Sequence, residues 1–164
     1  MLGTQNLYFY RLLDAIFLAK SNGYFEGKKL IIQAGVNFEK YKDNNSKDIY
    51  IFDYVDYEVI ESYILDADYI VTHAGVGSIL SSIQKNKKVI VVPRLKKYNE
   101  HNDDHQLEIS SKFEELGYVL CVKDMANLSK AILSVVGFRP NKFINSNKIF
   151  AEKFKMEFDE FIEI

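Results

Sequence analysis

The stretch "DYIVTHAGVGSIL", Asp68 to Leu80, sets an apolar β-like run before two closely spaced glycines, and those glycines before a second apolar stretch. Strand, tight turn and helix in that order make one βα unit of a parallel sheet, because a parallel neighbour is reached only through a crossover. The turn also carries chemistry. Closely spaced glycines let backbone N–H groups and the N-terminus of the following helix face an anion. Gly75, Gly77 and Ser78 supply such a turn, and His73 ends the strand ahead of it. By themselves these residues leave a phosphate cradle and a plain tight turn both open, since sharp strand-to-helix connections commonly use glycine. His73 alone equally fits a ring bonded to nearby backbone, and Ser78 a helix N-cap.

The same alternation runs along the chain. Short Ile-, Val- and Tyr-rich runs predict strands at "KLIIQA" (29–34), "IYIFDY" (49–54), "DYIVTH" (68–73), "KVIVVP" (88–93) and "YVLCVK" (118–123). Between them, Phe9, Leu12, Leu13, Ile16 and Phe17 recur at helical spacing, with Gly23 as a stop. Further helices are predicted at 57–66, at 78–86, at 105–116 closed by Gly117, and at 125–136 closed by Gly137. The expected fold is α/β: a Rossmann-like open parallel sheet with helices on both faces, in a single half-domain over residues 1–140. The opening "MLGTQ" is unusual, because a glycine turn that should follow a strand is preceded only by Met1 and Leu2. Either the first strand is very short or residues are missing ahead of it. After Pro140, residues 141–164 form a separate element in which Phe150, Phe154, Phe158 and Phe161 share one face of a helix predicted at 146–163. That helix either packs back on its own domain or docks a partner.

Composition narrows the class. The 164 residues carry 21 Lys plus Arg against 23 Asp plus Glu, a formal net charge of -2, so no overall field would hold nucleic acid. Cys121 is the only cysteine and lies in the apolar run "YVLCV", which excludes an internal disulfide and suits a reducing compartment. No apolar stretch approaches the ~20 residues of a membrane span, and no secretory signal opens the chain. A cytoplasmic, soluble protein is expected. "QNLYFY" (5–10) resembles the protease site of an expression tag, but it continues into a helical pattern and Tyr10 departs from the tag.

Two nucleotide motifs fail. The third glycine of the dinucleotide fingerprint is replaced by Leu80, and Pro93 and Arg94 stand where its acidic residue would fall. No Gly-Lys-Ser or Gly-Lys-Thr occurs, which removes the P-loop. Downstream, "VPRLKKYNEHNDDHQLE" (92–108) leaves a strand and crowds charged and polar residues into a loop, where open α/β sheets bind ligands. His101 and His105 with Asp103 or Asp104 invite a metal reading, but no cysteine lies near and the spacing matches no helical zinc motif, so no metal is expected.

Taken together, "DYVDYEVIESYILDADYIVTHAGVGSIL" and "VIVVPRLKKYNEHNDDHQLEISSKFEELG" resemble the C-terminal, donor-binding half of GT-B glycosyltransferases of family 28. The resemblance is strongest to the soluble subunit of split, two-component enzymes of the dolichol-pathway N-acetylglucosaminyltransferase kind and of exopolysaccharide and capsule synthesis. The opening "LGTQNLYFYRLLDAI" is similar as well. The resemblance implies a hexosyltransferase with a UDP-sugar as substrate, inverting, with no metal and no cofactor.

By the same resemblance Gly75, Gly77 and Ser78 cradle the diphosphate beside His73. Tyr54 and Val55, within Asp53 to Asp56, line the nucleobase side, while Gln106 and His105 approach the sugar. Gly3 and Thr4 form a loop facing the cleft. His105, Glu100 and Arg94 are the expected catalytic residues, with Arg94, or Lys96 and Lys97, adding positive charge for the leaving diphosphate. Ser81 is a departure, because many relatives have a ribose-binding Glu there. The implied partners are a membrane-anchored transferase subunit, which would recruit the chain to the cytoplasmic face, and a lipid-linked saccharide acceptor. The rival reading is a non-catalytic activator or nucleotide-binding regulator; an NAD-dependent enzyme is a second rival.

Overall fold

The computed structural model describes residues 1–143, so the helix predicted at 146–163 lies outside the described residues. Five parallel strands alternate with helices. They are β1 (Leu30–Gln33), β2 (Ile49–Phe52), β3 (Tyr69–His73), β4 (Lys88–Val92) and β5 (Leu120–Cys121). The helices are α1 (Tyr10–Ser21), a short α2 (Phe38–Tyr41), α3 (Tyr57–Asp66), α4 (Val76–Ile83), α5 (His105–Glu115) and α6 (Leu128–Val135). β1 pairs with β2, and β3, β4 and β5 pair in that order, every pair parallel.

One half-filled position separates these two sheets. Met1 N–H donates to Val71 O at 2.8 Å, His73 N–H donates to Met1 O at 3.3 Å, and Leu2 N–H donates to Gln33 O at 3.2 Å. Residues 1–2 therefore act as a two-residue parallel strand between β1 and β3.

β4 explains why helices cover both faces. Val89, Ile90, Val91 and Val92 are all fully buried, although successive strand side chains point to opposite sides. Ile90 and Val92 pack with Leu12, Leu13, Ile16 and Ile132 of α1 and α6. Val89 and Val91 pack with Ile79, Ile83, Ile109 and Phe113 of α4 and α5. A strand covered twice must be a continuous apolar run, and each such side chain contributes about 1.5–3 kcal/mol by leaving water. Gly117, at φ +72, follows α5 in the left-handed conformation that only glycine adopts without strain.

Three differences from the sequence reading bear on the architecture. α4 begins at Val76, inside the glycine turn, because a β-region Gly75 acts as its N-cap. The fifth strand shortens to two residues, since only its register with Ile90 and Val91 is laddered. The short α2 was not foreseen; it lies in the connection after β1, where four residues are too few for a hydrophobic period to show.

Candidate functional site

The carboxyl ends of the strands meet at His73. Its ring lies between two glycine turns, and that packing gives the glycines a steric reason. A Cβ on Gly3 would stand 2.5 Å from His73 Cε1, and one on Gly75 would stand 2.2 Å from His73 Nε2. Gly3 has a second reason, its φ of +74. Gly75 has an ordinary φ of -73, so the wedge alone excludes a side chain there. His73 is 7% exposed. Burial, followed by the neighbouring Arg94 guanidinium, lowers its pKa from 6.5 to about 3. At neutral pH the ring is therefore uncharged: it spaces the two turns and offers a neutral hydrogen-bonding group.

Gly77 is different. Beyond its chain neighbours and the backbone of its own helix, no heavy atom lies within 4 Å of the place a Cβ would take, so this glycine opens the surface at the start of α4. The first intrahelical bond there runs from Ile79 N–H to Gly75 O, at 3.1 Å, which leaves the N–H groups of Val76, Gly77 and Ser78 without helical acceptors. No side chain caps this helix. Three donors and the positive end of the helix thus face outward beside the His73 wedge, the arrangement that holds an anion.

Two charged residues after β4, Arg94 and Glu100, are buried. Arg94, 1% exposed, turns back under the N-terminal loop. Its Nη1 donates to Leu7 O at 2.9 Å and Glu100 O at 3.3 Å, its Nη2 donates to Leu2 O at 2.9 Å, and its guanidinium stacks 4.7 Å from the centre of the Phe9 ring. Glu100 is buried too, accepting from Arg11 Nε at 2.9 Å, Arg11 Nη2 at 2.7 Å and Leu95 N–H at 3.1 Å. Arg94 and Glu100, expected as catalytic residues, thus lie buried with their charged groups hydrogen-bonded. Both hold the loop from Pro93 to Asp104 against residues 2–11, because a buried charge persists only when its donors and acceptors are matched.

Gln106 belongs to the same scaffold, its Oε1 accepting from Arg94 N–H at 3.1 Å. His105 is the first residue of α5; its Nδ1 lies 3.3 Å from Glu108 Oε2, and its N–H donates to Asp103 Oδ1 at 3.0 Å. His101 joins the loop to the opening segment through Gln5 Nε2, 3.0 Å from its Nε2. Tyr54 is 45% exposed, and a Cβ on Gly35 would stand 3.3 Å from its hydroxyl and 3.1 Å from Gly3 O. Thr4 and Val55 lie on connections at the same carboxyl edge. Ser81 donates to Gly77 O at 2.8 Å, so its hydroxyl turns back onto α4. Among the described residues no group of three His, Cys, Asp or Glu could hold a metal ion, and no helix is long and apolar enough to cross a membrane.

The structure thus brings Gly3, His73, Gly75 and Tyr54 to one place and puts Gly77 and Ser78 at its rim. Arg11 and Asn37 escaped sequence reading. Arg11 sits in the apolar pattern of α1 with nothing to announce its partner 89 residues away. Asn37 is buried and accepts from Phe9 N–H through Oδ1 at 2.7 Å, pinning the start of α1 to the end of β1.

An open α/β half-domain with an anion-facing helix start at the carboxyl edge of its parallel strands is the class that these features define. The chain belongs to the glycosyltransferase family 28 C-terminal domain family, which matches residues 12–161. Among curated proteins it is similar to the UDP-N-acetylglucosamine transferase subunit ALG13 of three yeasts. It is 39% identical to that of Candida glabrata over 69 residues, 42% of this chain and 31% of the relative. It is 35% identical to that of Candida albicans over 86 residues, 48% and 28% respectively. For Saccharomyces cerevisiae the figures are 44% over 61 residues, 37% and 28%. The matched segments thus span about a third of those relatives' length.

Proposed function

We propose that this chain is the donor-binding half of a UDP-sugar glycosyltransferase that transfers its sugar only with a second, acceptor-binding subunit. One observation carries the reading: α4 begins with three unbonded N–H groups at an open Gly77, beside a turn that His73 holds in shape. The family match and the name of the relatives, UDP-N-acetylglucosamine transferase subunit, support a UDP-linked donor.

In this reading the N–H groups of Val76, Gly77 and Ser78 hold the diphosphate. The helix dipole stabilises the charge that grows on it as the bond to the sugar breaks, which needs no metal. His73, neutral at working pH, positions the Gly3 and Gly75 turns and offers a hydrogen bond without a second charge. Tyr54 and Val55 face the nucleobase side. His105, at the start of α5, approaches the sugar. Lys96 and Lys97, exposed beyond β4, supply cationic charge in place of the buried Arg94. The acceptor's hydroxyl loses its proton to a base, and the second subunit brings that acceptor. A lipid-linked saccharide acceptor and a membrane-anchored partner are part of the proposal. An exopolysaccharide or capsule product gains no support from the yeast relatives.

Thermal unfolding with added nucleotides tests donor binding. UDP at 100-fold excess over its Kd stabilises by about 2.7 kcal/mol. UDP and UDP-sugars should raise the midpoint and NAD should not; no shift with any UDP compound refutes the reading. A binding-only module is the second reading, favoured by the burial of Arg94 and Glu100. Sugar transfer by the chain co-expressed with its partner subunit separates the two.

A further inference from the structure

Thr4, Gln5 and Asn6 lie exposed between the Gly3 turn, which packs against His73, and Leu7, whose carbonyl Arg94 holds. Among the described residues, one hydrogen bond ties this stretch to the rest of the fold. It joins Gln5 Nε2 to His101 Nε2 at 3.0 Å.

His101 is itself fixed on both sides along the chain. Glu100, just before it, is buried and bonded to Arg11 and to Leu95 N–H. Asp103, just after it, places Oδ1 2.8 Å from His101 Nδ1, and the same oxygen accepts from His105 N–H at 3.0 Å. That backbone bond holds the Asp103 carboxyl below its usual pKa, so the group is a carboxylate and only accepts. The neutral His101 ring therefore carries its proton on Nδ1, and the 3.3 Å approach of Asp103 N–H to the same nitrogen is the weaker contact. Nε2 keeps a lone pair, which accepts from the Gln5 amide. A carboxylate, a ring and an amide thus run in series from the start of α5 to the opening loop.

The series ends beside the donor site. Gly3 lies two residues before Gln5, and a Cβ on it would stand 2.5 Å from His73 Cε1. His101 is also near enough to His73 for a charge on the one to disfavour a charge on the other. The N–H groups at the start of α4 are set by Gly75 and the helix itself, without His101. What His101 governs is the loop that flanks them.

We infer that His101 is a positioning residue of the donor site, an inference that rests on the proposed UDP reading: backed by Asp103, it clasps Gln5 and so holds the Gly3–Asn6 loop beside the diphosphate cradle. A ligand that needs this loop in place binds more weakly in proportion to the fraction of chains in which the loop is out of place.

Calorimetric titration of the whole chain with UDP tests the clasp. His101→Ala should raise the UDP Kd about tenfold. Rescue then separates clasping from general support. A Gln amide reaches the place of ring Nε2, whereas an Asn amide stands at that of Nδ1. His101→Gln should therefore bring the Kd back to within about threefold of wild type, and His101→Asn, which keeps only the Asp103 contact, should remain as weak as His101→Ala. Gln5→Ala, a change at an exposed residue that folding tolerates, should give the same loss, and combining it with His101→Ala should add nothing further. A Kd within about twofold of wild type for His101→Ala or Gln5→Ala, equal rescue by Asn and Gln, or additive losses in the double variant each overturn the proposal. A wild-type chain that binds no UDP refutes the donor reading and the proposal with it; wild-type binding that the variants leave unchanged refutes the positioning role alone.

Discussion

Replacing His73 with glutamine should remove about 2 kcal/mol of acid sensitivity from folding between pH 8 and pH 5. The folded ring has a pKa near 3, against 6.5 in the unfolded chain, because burial and the Arg94 guanidinium disfavour its charged form. Above pH 6.5 the ring is neutral in both states and its contribution is complete. As the pH falls, the unfolded chain takes up a proton that the folded chain refuses, so stability declines progressively and this contribution is lost by about pH 3. At pH 5 the unfolded ring lies about 1.5 units below its pKa, and 1.36 kcal/mol per unit gives about 2 kcal/mol. For a domain of this size that is a shift in Tm of roughly 4–8 °C. Urea unfolding of wild type and H73Q at pH 8, 6.5 and 5 reads the difference directly, since the other histidines and the carboxylates are common to both proteins. NMR titration of the wild-type ring gives an independent measure and should show it neutral at pH 5. An equal pH dependence in the two proteins, or a ring that protonates near pH 6.5, refutes the buried-wedge argument.

Three further outcomes follow from the same geometry. Gly75→Ala pushes a Cβ to within 2.2 Å of His73 Nε2 and should cost about 1–3 kcal/mol by overpacking; in a His73→Ser background most of that cost should vanish, as a double-mutant cycle by denaturation would show. Glu100→Ala leaves Arg11 without its partner in a buried pair and should cost about 3–5 kcal/mol in urea unfolding; a loss below 1 kcal/mol would mean that the Pro93–Asp104 loop is held by other contacts. Ser81→Ala should leave the UDP Kd within about twofold by calorimetry, because the hydroxyl donates to Gly77 O; a tenfold loss would give Ser81 a direct part in donor binding.

The order of strands and helices was legible in the sequence because it rests on local period. "KVIVVP" read as a strand, and Gly23 and Gly117 marked the ends of their helices. The place of the glycine turn after His73 was legible for the same reason, since βα geometry puts any such turn at the carboxyl edge.

What each residue does there was decided only by tertiary structure. Gly75 reads as a phosphate glycine in one dimension, yet the ring of His73 and the turn of Gly3, 72 residues earlier, fill the space beside it. Arg94 and Glu100 look like exposed catalytic charges in a polar loop. In three dimensions the backbone carbonyls of residues 2–8 and the side chain of Arg11 enclose them. Local sequence sets backbone period and turn chemistry. Burial, and with it charge state and reach, depends on segments distant along the chain that only folding brings together.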